Sequence, residues 1–575
     1  MQIRQLKISA FRGISFLEWT TTQPFCCLIG PGDCGKSTVL DAIEAVLSPR
    51  WFTFMEPDFY KCDTTHPIVI EVTVGELSKA LKSDERFGLF IRGWTAAGDL
   101  RDEPEGDDEP VLTVRLTVDA TLEPVWEVIC DRASEPRTLS NRDRALFGVV
   151  RLAGNDARHL AWGQGSVLSR MTGETDEAAN RLAEAYRTVR ASTKLGEIKE
   201  LADAASAAET HAKSLGAYVE ATYLPDLELG RSGLSSGSIA LHDGSVPLRL
   251  AGLGTRRLAT LGVQKSGINE GAIVLIDEVE HGLEPHRIIG VIAQLHADQK
   301  KSQEKHNPVG QVLLTTHSDV ALAEAGAEAL RVVNTLRPVR NVEIKAPSPL
   351  APIHALMRFA PRSFFARRII GTEGNTELGM LLGLRGQWSR RHAGIPVEQL
   401  GVAIVDGNGD QAPELVLGLA ALGYVTTLYR DSDKALAPEV QAQLACAGIA
   451  TIEYGNGLNT EQALFSAASD DSVQALLDFV RTEKGTDSID QSIKSLIPDL
   501  DMNTVRAAFA AWNLVGQLDG AALRDALADI AHRKKWFKDQ RIARGLAPIV
   551  ERIVKEAPAS PLALTLSRVE AWAYA

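Results

Sequence analysis

The chain has few cysteines, no long apolar run and no excess of positive charge, and each shortage removes a class of protein. Its six cysteines in 575 residues, Cys26, Cys27, Cys34, Cys62, Cys130 and Cys446, include no C-x-x-C pair. That disfavours a zinc ribbon or a disulfide framework and fits a reducing compartment. No 18-residue uncharged apolar stretch occurs, and the opening "MQIRQLKISAFRGI" lacks the apolar core of a signal peptide. A soluble, cytoplasmic protein with no membrane association is expected. The net charge of −13 argues against wholesale wrapping of nucleic acid and leaves room only for local basic grooves. What remains is an ordinary globular composition, 45% hydrophobic and 23% charged, in a chain long enough for about two to four domains.

Against that background one stretch carries recognisable chemistry. Gly30, Gly35, Lys36 and Ser37 fit G-x-x-x-x-G-K-[ST], set between an apolar strand, "PFCCLIG", and a helix, "KSTVLDAIEAVL". Gly30, Gly32 and Gly35 let backbone N–H groups wrap phosphates, and Lys36 neutralises the outer ones. Ser37, followed by Thr38, can ligate Mg²⁺ where the helix points its positive end at the anion. "GAIVLIDEVEHGLEP" (271–285) supplies a partner. Its apolar strand ends in Asp277, expected to hold the Mg²⁺ water shell, and Glu278, expected to polarise the attacking water. "QVLLTTHSDV" (311–320) is one more apolar strand, and His317 at its end can reach a γ-phosphate. ATP with Mg²⁺ is the expected cofactor.

"HPIVIEVTVGEL" and "PVLTVRLTVD" read as further strands, with an acidic, proline-bearing loop between them. Residues 174–221, rich in Ala, Glu and Lys without proline, read as helical: a hairpin packed on its own domain or an excursion that pairs with a second copy. Four prolines in "KAPSPLAPIHALMRFAPRS" (345–363) mark the main boundary. Beyond it strands and helices alternate, which implies a second α/β domain.

That second domain carries an ordered set of acids. "RRIIGTEGNTE" puts Glu373 at a strand end and Glu377 one helical turn on. "VAIVDGNGD" puts Asp406 at another strand end, and "VTTLYRDSDK" adds Asp431 and Asp433. Carboxylates delivered by three strand ends of one sheet repel one another at neutral pH. A divalent cation with a taste for hard oxygen ligands, Mg²⁺ or Mn²⁺, is the simplest relief, and two such ions can clamp a phosphodiester. Each acid alone is an ordinary turn former or helix cap; the set is what points to chemistry.

The cradle and the acidic strand about 240 residues later resemble the ABC-type ATPase heads of the RecF and SMC group. That resemblance assigns "LAGLGTRRL" (250–258), with Gly252, Gly254 and Arg256, to the signature loop, and implies ATP sandwiched between two copies in a dimer or higher oligomer. The set E-G-x-x-E, D-G-x-G, D-x-D resembles the Toprim domain of primases, topoisomerases and certain nucleases. A head followed by such a domain resembles the OLD (overcoming lysogenization defect) family of ATP-dependent nucleases, which includes the Gabija-system nuclease subunit. The implied fold class is α/β, an N-terminal RecF/SMC-like head with a helical insertion and a C-terminal Toprim domain. Its implied domains are head lobes 1–170 and 223–345, insertion 171–222, linker 346–365 and Toprim domain 366–575. The implied metal ligands are Glu373, Glu377, Asp406, Asp431 and Asp433, with Glu461 of "NGLNTEQALF" as an additional acid, although Asn459-Thr460 there also reads as a helix start. Lys538 of "HRKKWFKDQRIARGL" is implied as the lysine that steadies the pentavalent phosphate, with Lys535 the alternative. Arg362, Arg367, Arg368, Arg385, Arg390 and Arg391 are expected to form a DNA track beside this site. The implied function is metal-dependent DNA cleavage or nicking gated by ATP, in defence against phage, with a helicase or other defence-system protein as partner. A different class stays open, a RecF-like DNA-binding clamp whose Toprim fold only binds, and a hydrolase acting on RNA or nucleotides would use the same chemistry.

Overall fold

The computed structural model describes residues 1–49, 52–152, 157–162, 166–172, 195–227, 239–266, 272–304, 310–349, 352–496, 509 and 520–575. The stretch 174–194 of the expected helical insertion lies outside them. The chain divides into two compact units, Met1–Ala346 and Pro347–Ala575. Among the described residues no helix is long and apolar enough to cross a membrane.

Unit one is organised on one large sheet. Five neighbouring strands run parallel in the order Val149–Leu152, Ile273–Ile276, Val312–Thr315, Phe25–Ile29 and Leu330–Leu336. The middle three are buried at every residue, which is why they read as unbroken apolar runs: a parallel sheet is covered on both faces. Beyond Leu330–Leu336 the sheet continues through Asn341–Lys345, Ile14–Thr20, Gln2–Phe11, Ile68–Gly75 and Glu109–Val118, mostly antiparallel. There the burial alternates, as in Ile14–Thr20, so one face is solvated. The helix Lys36–Leu47 places Val39, Leu40, Ile43, Val46 and Leu47 in the core under this sheet. Helix Lys199–Ser214 packs on helix Leu253–Ser266, where a Cβ on Gly262 would come within 2.7 Å of the Ala212 nitrogen.

Unit two has a four-stranded parallel sheet in the order Val402–Asp406, Arg368–Thr372, Val425–Arg430 and Ala450–Glu453. Helices Asn375–Arg391, Ala412–Ala421 and Pro438–Cys446 connect its strands. A helical layer comes next, from Thr460–Ala467 to Pro561–Tyr574, and buries Trp388, Phe465, Trp536 and Phe537 in one core. The stretch 346–365, expected as a linker, belongs to this unit from Pro347 on, where it is described. It forms helix Ile353–Phe359 and a 3₁₀ turn, Pro361–Phe365, and buries Ile353, Leu356 and Phe364. Tyr424 ties it down by donating 2.7 Å to the Phe364 carbonyl. Its prolines shape turns while its apolar residues still find a core.

Candidate functional sites

The phosphate cradle lies where the sheet and helix Lys36–Leu47 meet. Gly30 has φ 149°, and a Cβ there would stand 2.4 Å from the Val333 carbonyl oxygen, so only glycine fits. Gly35, at φ 97°, turns the chain into the helix. Around Gly32 a Cβ would meet nothing within 4 Å, which leaves the outer side of the loop open to an anion. Buried Lys36 donates to the carbonyls of Gly30 and Pro31, 3.0 Å each, folded over the loop it would share with phosphates. Arg340 holds the rim through the carbonyls of Gly13 and Asp33, and Thr335 through that of Cys34.

Strand order then brings the acidic strand to the cradle. Asp277 Oδ1 accepts from Ser37 Oγ at 3.1 Å and from Thr315 Oγ1 at 2.5 Å, and Oδ2 accepts from Arg151 at 3.0 Å. Ser37 and Asp277 thus meet across 240 residues, with half-buried Thr38 beside Ser37. Glu278 takes φ 45°. Its N–H donates to Thr315 Oγ1 at 2.8 Å and its carbonyl accepts from Arg257 at 2.7 Å, so a left-handed residue is pinned on both sides with its side chain half exposed. His317 comes just after the adjacent strand, and its N–H donates 2.6 Å to Glu280. Gly254 opens helix Leu253–Ser266 packed against the loop after Asp277: a Cβ there would lie 2.9 Å from the Gly282 carbonyl. Arg256 donates to the Arg249 carbonyl at 3.4 Å. Sequence reasoning missed Arg151, Glu280 and Thr315. Arg151 sits on a strand whose parallel partner comes some 120 residues later, and only the pairing reveals it; the doubled threonine before His317 was the clue to Thr315.

In unit two the three strands run parallel, so Glu373, Asp406, Asp431 and Asp433 emerge at the same edge, with the Glu373 strand central. Backbone bonds tie these ends together: Glu373 N to Tyr429 O at 2.9 Å, Gly407 N to Thr372 O at 2.8 Å and Gly409 N to Glu373 O at 2.6 Å. Asp431 is buried beside Asp433, Glu373 and Glu377; burial first, then these neighbours, push its carboxyl up to about 9. Glu377 is buried as well. It accepts from Thr460 Oγ1 at 2.6 Å and from Gly374 N at 3.1 Å. Burial, with repulsion from Glu373 and Glu461, raises it to about 7 despite those hydrogen bonds. Asp406 is half exposed and caps its own turn, accepting from Asn408 N at 2.9 Å.

Glu461 lies in the helix start that Asn459-Thr460 suggested. Asn459 caps helix Thr460–Ala467, and Glu461 in its first turn is 2% exposed, bonded to His532 Nδ1 at 3.1 Å. That same bond draws in the basic segment. Thr376 Oγ1 donates to the Phe537 carbonyl at 3.2 Å, so exposed Lys538 comes directly after a residue anchored next to Glu377. Lys535, at φ 54°, has its carbonyl bound by Lys484 at 2.6 Å. Arg430 was not foreseen. It is buried between Glu373 at 3.6 Å and Glu453 at 3.5 Å.

The expected arginine track is corrected. Arg367 and Arg368 stand at the opposite end of the strand that delivers Glu373, about 17 Å away for five residues. Arg385, Arg390 and Arg391 lie toward the far end of helix Asn375–Arg391, which runs back from the acids. They also have local work: Arg368 stacks on Trp572 and bonds its carbonyl, Arg385 pairs with Glu398, and Arg391 with Glu570.

The donor chemistry suits a hard divalent cation. Three carboxylate oxygens, Glu373 Oε2, Asp431 Oδ1 and Glu461 Oε1, are buried without a hydrogen-bond partner. Among the described residues, however, no three His, Cys, Asp or Glu side chains stand close enough to hold one ion as they are. Side chains must therefore turn inward for an ion to be shared.

A family model described as "AAA domain, putative AbiEii toxin, Type IV TA system" matches residues 153–323, and one described as "Protein of unknown function (DUF2813)" matches residues 1–99. Unit one therefore contains an ATPase domain. No curated protein matches the chain. Among solved structures, an SMC head bound to the C-terminal winged-helix domain of ScpA is similar at 14% identity, covering 61% of this chain and 98% of that one, with a TM-score of 0.37. An SMC head domain from Thermotoga maritima is similar at 15% identity, with 60% and 100% covered and a TM-score of 0.30. An SMC head with an extended coiled coil, bound to a ScpA domain and derived from Pyrococcus furiosus, gives 11%, 60%, 96% and 0.33. Likenesses this distant bear on neither the chemistry of the sites nor their partners.

Proposed function

We propose that the chain is an ATP-binding, metal-dependent DNA endonuclease or nickase of the OLD type, with an ABC-like head in unit one and a Toprim-like nuclease domain in unit two. The observation that carries the reading is the acidic group at the strand ends: Glu377, Asp431 and Glu461 are buried, Glu373 is half-buried and Asp433 exposed beside them, two buried oxygens (Asp431 Oδ1 and Glu461 Oε1) have no hydrogen-bond partner, and two carboxyls hold protons near neutrality. A group built only to bind DNA has no use for negative charge concentrated away from water.

Glu373, Asp431, Asp433 and Glu461 would hold Mg²⁺ or Mn²⁺, with Asp406 at the rim. When bound, such ions neutralise phosphodiester oxygens and acidify water. Glu377, doubly hydrogen-bonded, orients the loop that carries Glu373 and stores a proton at neutral pH. Lys538 faces the charge that grows on the phosphate. In unit one, Lys36 and the loop amides would take the ATP phosphates, Ser37 and Asp277 the Mg²⁺, Glu278 the water and His317 the γ-phosphate. Gly254 would contact a nucleotide held by a second copy, coupling nucleotide state to dimer geometry. The toxin named in the matching family description supports a setting in defence.

A DNA-binding clamp without cleavage draws on one observation, the lack of a ready three-ligand group among the described residues. Incubation of supercoiled plasmid with Mg²⁺ or Mn²⁺, with and without ATP, separates the two. Nicking that survives Lys36→Ala and is lost in Asp431→Ala supports the nuclease. Binding with no cleavage under either metal sinks it in favour of the clamp.

A further inference from the structure

The carboxylate edge of unit two has a cavity beside it, which the proposed cleavage reaction touches only at Asp406. It measures about 560 Å³, inside the rough 300–1,000 Å³ span of small-ligand sites. One wall is apolar, with Leu378, Ile404 and Leu415, and Phe359 stands at its mouth. That ring is 87% exposed, although helix Ile353–Phe359 buries Ile353, Leu356 and Met357 around the turn before it. Single exposed apolar residues are common; this one rims a cavity. The polar groups are of one kind: the carboxamides of Asn375, Asn408, Gln411 and Gln540. Asn408 Nδ2 donates 3.0 Å to Gln411 Oε1, which fixes the orientation of that pair.

Asp406 is the one charged residue in the lining. A cavity with no cation is no place for a phosphate, and its single carboxylate asks for a neutral ligand with N–H groups. A flat face for an aromatic ring, donors and acceptors for amides, and an amino group for a carboxylate together describe a nucleobase. Asn and Gln pair with adenine edges, and Asp accepts from an amino group such as that of cytosine. Unpaired bases stack on exposed aromatic rings. Asp406 and Gly407 belong to the cavity and to the acidic strand edge alike, so a base seated here is attached to the strand whose phosphate reaches the carboxylates.

We infer that this cavity binds one unpaired, amino-bearing base of the DNA strand held at the carboxylate site, with Phe359 stacking on it and the carboxamides reading its edge. The inference rests on the nuclease reading and adds a substrate requirement to it: a single-stranded or splayed nucleotide at the point of attack.

The test is anisotropy of a labelled single-stranded DNA oligonucleotide on the full chain, with Ca²⁺ in place of Mg²⁺. Phe359→Ala is expected to weaken binding about tenfold, within the range that base stacking on an aromatic ring contributes, while Phe359→Trp retains it. Scanning a single abasic position along the oligonucleotide should find one that weakens the unaltered protein by the same factor and leaves Phe359→Ala unchanged. Equal binding by Phe359→Ala, or an abasic penalty identical in both proteins at every position, overturns the inference while the nuclease reading stands. Absence of both binding and cleavage of any DNA sinks the nuclease reading itself, and the cavity assignment with it.

Discussion

Both units deliver acids from the carboxyl ends of parallel strands, yet they neutralise them differently. In unit one Asp277 is met by Arg151, Ser37 and Thr315, so the protein supplies its own counter-charge and donors. In unit two Arg430 lies between Glu373 and Glu453, and protons stay on Asp431 and Glu377 to about 9 and 7. The first site thus has its charge answered from within the chain. The second keeps carboxyls protonated by burial and mutual repulsion, a demand that a cation would answer on the proposed reading.

Single substitutions should split the two sites most sharply. Asp431→Ala is expected to lower DNA cleavage by about a thousandfold or more, the scale of several kcal/mol of lost charge stabilisation, with ATP binding unchanged. Lys36→Ala should do the reverse, abolishing ATP binding while basal nicking persists. Plasmid nicking and a nucleotide-binding assay on the same preparations check both. Loss of both activities in both variants would break the division of labour.

Proton occupancy gives the next largest effect. In the unfolded chain these carboxyls ionise near pH 4, whereas the folded unit keeps the protons to about 7 and 9. Between those limits the folded form binds more protons than the unfolded one, so stability without metal falls as pH rises. For buried Glu377 the loss approaches about 3 kcal/mol once pH passes 7. Mg²⁺ prefers the ionised form, so its stabilisation should grow from about pH 5 to about pH 9, with protons released on binding. Melting curves across pH and proton release in weak buffer test this. A stabilisation by Mg²⁺ independent of pH would put the cation elsewhere.

Packing between helices sets a smaller effect. Cβ atoms on Gly379 and Gly383 would stand 2.5 and 2.4 Å from the carbonyls of Gln540 and Arg544, backbone that cannot swing aside. Gly379→Ala should destabilise unit two by about 1–3 kcal/mol and reduce cleavage by displacing the helix just after Lys538. Gly386 in the same helix would meet nothing within 4 Å. There alanine should stabilise by about 0.5–1 kcal/mol. Equal effects at Gly379 and Gly386 in thermal unfolding would deny the close approach.

What could be read from the sequence was whatever the chain writes locally. The cradle between strand and helix and each acid at a strand end rest on short-range patterns, whereas the order of the strands, with Glu373 between Asp406 and Asp431, is set by pairing. What escaped was decided by pairing between distant segments: Arg151 beside Asp277, Arg430 between two glutamates, Thr460 under Glu377. The arginine track failed for a similar reason. Clustering in sequence says nothing of which end of a strand a residue occupies, and Arg368 and Glu373 are near in sequence but at opposite edges of the sheet.

The smallest effect is also the most specific. Thr460 Oγ1 donates to Glu377 at 2.6 Å, a bond that favours the ionised carboxyl and works against the burial that raises it. Thr460→Val keeps shape and removes the donor, so Glu377 should hold its proton to still higher pH. The expected cost is about 1 kcal/mol above pH 8 and little near pH 5, where the carboxyl is protonated in either protein. Mg²⁺ should bind more weakly near pH 7, whereas ATP binding in unit one stays as it was. A stability loss equal at both pH values would mean that Thr460 supports the packing of its helix and leaves the charge of Glu377 alone.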